Sequence, residues 1–173
     1  MKDYEKTLRV ISFLLAYPDE TWWKEFDACK AAVKEIESAQ NRTIIEEFIA
    51  YVEDTGRGKY EENYVEFFEF SQNTNLYLTM HDRTDFGKQA NEMLAYKSVF
   101  LDHGYDIENE LPDYLPAILE LIAGMEDERE AAAVFAIFKE KIELLRSRFI
   151  EAKLVYTFLI DVVLTVAAGL EAK

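Results

Sequence analysis

The sequence predicts an all-α protein, a single-domain bundle of seven or more helices over residues 1–173. Three observations lead there. Apolar residues recur at spacings of three and four almost throughout, the period of a helix with one buried face. No segment alternates apolar and polar residues as a half-buried strand does. The three prolines and the scattered glycines fall mostly at the edges of the periodic segments, where helices stop and start.

The elements follow in order. "YEKTLRVISFLLAYP" repeats Tyr4, Leu8, Ile11 and Leu15 until Pro18 stops it. Asp19 is a predicted N-cap for "DETWWKEFDACKAAVKEIESA", which sets Trp23, Phe26, Val33 and Ile36 near one stripe. "TIIEEFIAYVED" repeats Ile45, Phe48 and Val52, and the two glycines of "TGRGK" then break the chain at 55–59. "YEENYVEFFEF" carries Tyr60, Tyr64, Phe67 and Phe68 on one aromatic face. A helix over about Asp85–His103 should end at Gly104, a residue suited to the left-handed position beyond a helix. Residues 126–153 read as one long amphipathic helix, and Leu154–Leu170 as a buried closing helix. The long loops are expected at 55–59, 71–85 and 104–113.

The closing run is seventeen residues with Asp161 at its centre. A membrane span needs about 20 apolar residues, and a central Asp costs roughly 2.5–3.5 kcal/mol there. The run therefore belongs to a soluble core, and no secretory leader precedes the first helix, so a cytoplasmic location is expected. Thirty-four acids against nineteen Lys and Arg give a net charge of −15. That field repels nucleic acid and anionic membranes and favours basic partners. Cys29 is the one cysteine, so no internal disulfide can form.

Catalytic signatures are missing. There is no glycine-rich phosphate loop, and neither histidine follows an acid at the spacing of helical di-metal sites. His81 and Asp82 form a lone dyad that a metal-dependent hydrolase would have to supplement with further ligands. The expectation is no catalytic residue, no metal and no cofactor.

Two features invite a partner. The aromatic face of Tyr64, Phe67 and Phe68 is either core or a groove for an amphipathic segment. In "ELPDYLPAILELIAG" two prolines four residues apart stiffen the approach to a helix that starts between Asp113 and Pro116 and ends near Gly124. Asp113 is the expected N-cap there. The corner holds Glu110, Asp113 and Tyr114 at a positive helix end, where it can cap the helix or recognise a basic ligand.

These residues resemble a known family. "NELPDYLP" is similar to the signature of the respiratory nitrate reductase delta subunit (NarJ-type), within the TorD-like maturation chaperones. "LRVISFLLAYPDE" resembles that family's opening helix, and "YVEFFEFSQNTNLYLTMH" its aromatic segment with a following histidine. One departure lies in "TDFGKQA", which keeps Asp85 but lacks the family's arginine pair, so other molybdopterin oxidoreductases fit as clients beside nitrate reductase. The resemblance implies a non-enzymatic cytoplasmic chaperone. It would bind the basic N-terminal segment, a twin-arginine leader or its remnant, of an apo catalytic subunit and hold that subunit for molybdenum cofactor insertion. The implied peptide-binding set is Tyr64, Phe67, Phe68, His81, Arg83, Asp85, Glu110, Asp113 and Tyr114, on a monomer or weak homodimer. The competing readings are a generic acidic helical module in an oligomer and the hydrolase built on His81 and Asp82.

Overall fold

The computed structural model describes residues 1–71, 73–81, 85–107 and 110–173. Among them are eight α-helices and one short 3-10 turn, with no named strand, as the periodicity predicted. In chain order the helices are α1 (Asp3–Leu15), α2 (Glu20–Val33), α3 (Ala39–Thr55), α4 (Arg57–Phe68), α5 (Phe86–Asp102), α6 (Leu115–Ala123), α7 (Glu128–Glu151) and α8 (Thr157–Glu171). Among the described residues no helix is long and apolar enough to cross a membrane.

Local signals placed most boundaries. Asp19 caps α2 by accepting from the Trp22 amide at 2.8 Å, and Asp85 caps α5 through the Lys88 amide at 2.8 Å. Gly104 takes φ 80° just past α5, the conformation a side chain resists. Other boundaries moved. α2 stops at Val33, short of its expected end at Ala39, and Ser38 starts α3, the expected third helix, a turn early by accepting from the Asn41 amide. The expected break at 55–59 shrinks to Gly56 alone, and Gly58 lies inside α4.

Gly56 holds φ 82° and ψ 153°, a region essentially reserved for glycine. Gly56→Ala should therefore destabilise by about 2 kcal/mol in urea unfolding. Gly58→Ala should act the other way, by about 0.5 kcal/mol, because it fills open space within a helix.

Packing centres on α1, which lies against α6 and α2, and on the α7–α8 pair. α1 and α6 are tied by polar bonds as well: Ser12 Oγ donates to Pro116 O at 2.9 Å, and the Tyr4 hydroxyl donates to Met125 O. The closing helix is buried along Leu159, Ile160, Val163 and Ala167. Its predecessor Tyr156 is fully buried and meets Phe48 and Phe68 edge-on, at 5.1 and 4.7 Å between ring centres. Edge-on aromatic contacts of this kind add about 0.5–1.5 kcal/mol each beyond burial.

Candidate functional site

The two expected loops at 71–85 and 104–113 are in fact joined to one another. Leu78 N donates to Asp113 O and Leu115 N to Leu76 O, both at 2.9 Å, which makes an isolated antiparallel bridge of Tyr77 with Tyr114. The two tyrosine rings lie 5.0 Å apart. The prolines account for this geometry. Pro112 is buried and lacks an amide, and Pro116 occupies the first turn of α6, where an amide would have no intrahelical partner.

This pairing corrects the expected role of Asp113. α6 begins at Leu115, its N-cap residue is Tyr114, and no side chain caps it. Asp113 is 1% exposed and turns to the Leu78–Met80 turn instead. Its Oδ2 accepts from the Thr79 hydroxyl at 2.6 Å and from the Thr79 amide at 3.2 Å. A carboxylate reaching a neighbouring segment can bind it more tightly than a cap binds its own helix, because both donors are buried. Its other oxygen, Oδ1, is buried without a hydrogen-bond partner. Such a group usually has a reason to be there.

Asp113 lines a groove of about 430 Å³ between the end of α4, the turn, the start of α5 and the Glu110–Tyr114 segment. Phe68, Met80, Met93 and Leu111 supply its apolar lining, with Glu69, Asn75, Tyr77 and Gln89 as polar members. Met80 and Leu111 are half exposed, at 52% and 51%, unusual for large apolar side chains beside a cleft. Glu110 stands at its edge, accepting from the Tyr77 hydroxyl at 3.1 Å. Gln89 of α5 donates to Thr79 Oγ1 at 3.1 Å, so one threonine links both walls.

The expected residues divide between this groove and the core. Phe68, Glu110, Asp113 and Tyr114 lie in or beside the groove. Tyr64 is a core residue instead: its ring is buried and its hydroxyl donates to Leu15 O at 2.7 Å. Phe67 packs half-buried against the same core. The aromatic face of α4 thus points mainly inward, because its spacing matches the helix face turned to Tyr156. Asp85 is spent on capping α5. Arg83 and Asp82 lie outside the described residues.

His81 is 2% exposed and does not reach a surface cleft. Its Nε2 faces Asn75 O at 2.8 Å and must therefore be the donor, which leaves Nδ1 bare and buried without a partner. Arg148 of α7 donates to the His81 carbonyl at 3.1 Å. Among the described residues no group of three His, Cys, Asp or Glu could hold a metal ion. Burial lowers the His81 pKa and the Arg148 and Lys141 cations add to that, against the Asn75 carbonyl and Asp113.

The sign follows from linkage. The unfolded chain takes up the proton at about 6.5 and the folded chain only below it, so the contribution is complete above pH 6.5 and is lost progressively as pH falls from there through the lowered folded value. Denaturant melts between pH 8 and 5.5 should show stability falling with pH in the wild type and a flatter profile in His81→Gln.

Met80, Met93 and Leu111 had no role in the sequence reading. Nothing in their spacing marks them, since Met80 and Leu111 meet through the pairing of two segments more than thirty residues apart and Met93 joins them from α5. Cys29 is buried, and its thiol is pushed up to about 12 by burial, so it stays protonated.

Comparison with known proteins gives the family. The family described as nitrate reductase delta subunit matches residues 34–157, which include the groove and all of α3 to α7. A Bacillus subtilis (strain 168) protein, named as a probable nitrate reductase molybdenum cofactor assembly chaperone NarJ, is 34% identical over 166 residues. The match covers 94% of this chain and 88% of that protein. The chain belongs to the nitrate reductase delta subunit family.

Proposed function

We propose that the protein is an assembly chaperone for a molybdenum-dependent nitrate reductase. It binds the basic N-terminal segment of the apo catalytic subunit and holds that subunit until its cofactor is inserted. The whole chain acts as one helical unit in the cytoplasm and contributes no catalytic residue. The observation that carries this reading is the groove itself. Half-exposed Met80 and Leu111 share it with a buried Asp113 whose Oδ1 lacks a partner. Methionine-lined clefts adapt to varied apolar side chains. A buried carboxylate oxygen suits a guanidinium or ammonium, and the overall charge of −15 draws a basic segment toward it.

The test is made in the native cell. A tagged chain should co-purify with the nitrate reductase catalytic subunit, and that captured subunit should contain little molybdenum. Deleting the chain should leave the enzyme present but metal-poor. Fully loaded, active enzyme in the deletion strain would defeat the proposal.

A further inference from the structure

A second groove, of about 650 Å³, runs along the outer side of the α1–α2 hairpin, away from the site above. Its lining is apolar in the middle, with Val10 and Phe13 from α1 facing Ala28 and Ala32 from α2. Both alanines are exposed, so a second helix could approach the α2 backbone closely. The rim is charged in an ordered way: Lys6 and Arg9 come from α1, Glu25 from α2 and Glu35 from the turn just beyond it.

We propose that this face is the contact surface for a second copy of the chain, paired about a two-fold axis. A molecule of net charge −15 repels its own copies, so self-association is cheapest where a face carries cations and acids in equal number. This rim has two of each. The helices of the hairpin run antiparallel, since Lys6 Nζ donates to Glu35 O at 3.3 Å at one end while Phe13 stacks on Trp22 at 4.9 Å at the other. A half-turn about the long axis of the groove therefore lays α1 of one copy along α2 of the other. Lys6 then points toward Glu35 of the second copy and Arg9 toward Glu25, and each contact occurs twice, as an isologous interface requires. The narrow alanine ridge of α2 seats against Val10 and Phe13.

The cations can exchange partners for this. Arg9 now pairs with Glu120 at 3.2 Å and Lys6 with Glu37 at 3.9 Å. The Arg9 pair is exposed on both sides, and the Lys6 pair is exposed on its acidic side, so both are weak.

Sedimentation equilibrium of the full chain, from roughly 1 µM to 1 mM, is the test. A reversible dimer is expected. Arg9→Glu and Glu25→Arg should each raise its dissociation constant about tenfold or more, by bringing like charges together. An equimolar mixture of the two should recover affinity as a heterodimer, which a general loss of structure cannot produce. Circular dichroism melts check folding, and Ala28→Glu, an exposed change on the ridge, serves if Arg9→Glu does not fold. Three results overturn the proposal: a wild type that stays monomeric throughout, a dimer equally strong in both single variants, or a mixture that fails to recover. None of these bears on the groove at Asp113, which lies on other elements.

Discussion

Replacing Tyr64 by alanine should cost about 3–5 kcal/mol of stability, the range for removing a large aromatic from a core. The ring is 3% exposed, touches Phe68 at 4.6 Å and Tyr17 at 5.6 Å between centres, and donates to the last turn of α1. Tyr64→Phe keeps the packing and loses only the bond to Leu15 O, so about 1 kcal/mol is expected. Urea unfolding of the three proteins separates packing from hydrogen bonding. If Tyr64 were a ligand-contacting surface residue, both variants would keep wild-type stability.

Asp113 gives the second large effect, and a graded one. In Asp113→Ala the Thr79 amide and hydroxyl lose their shared acceptor inside the protein, and a stability loss of about 3 kcal/mol is expected. Asparagine retains one oxygen for Thr79, so Asp113→Asn should cost about 1 kcal/mol. Asparagine removes the charge, however. If the unpartnered Oδ1 receives a cation of the client segment, affinity for that segment falls at least tenfold in Asp113→Asn, well beyond what the small stability loss explains. Calorimetry of peptide binding beside urea melts reads both quantities. Equal affinity in wild type and Asp113→Asn would confine Asp113 to holding the Leu78–Met80 turn in place.

The sequence made these two residues hard to place, and the reasons differ. Tyr64 sits on a helix whose period was plain, but periodicity alone cannot say which apolar stripe meets the core and which meets a ligand. Tyr156 decides it, from nearly a hundred residues away. Asp113 followed a local rule, acid before a proline-marked helix, and tertiary pairing overrode the rule. Once Leu76 O takes the Leu115 amide, the helix start no longer needs a side-chain cap. Local rules succeeded where the competing partners were also local, as at Asp19 and Gly104. The groove was only half legible for the same reason. Glu110, Leu111 and the prolines lie in one stretch of chain, whereas Met80 joins it through a two-segment bridge and Met93 from α5, and neither leaves a mark on spacing.

The central claim is that the cleft at Met80, Leu111 and Asp113 receives the client's basic N-terminal segment. Calorimetry with a synthetic peptide of that segment tests it most directly, comparing wild type with the double variant Met80→Ser, Leu111→Ser. Both side chains are half exposed, so the melting temperature should change little. The account predicts saturable binding to the wild type, weakened by salt, and a loss of about tenfold or more in the double variant. A double variant that binds the peptide as tightly as the wild type would contradict it.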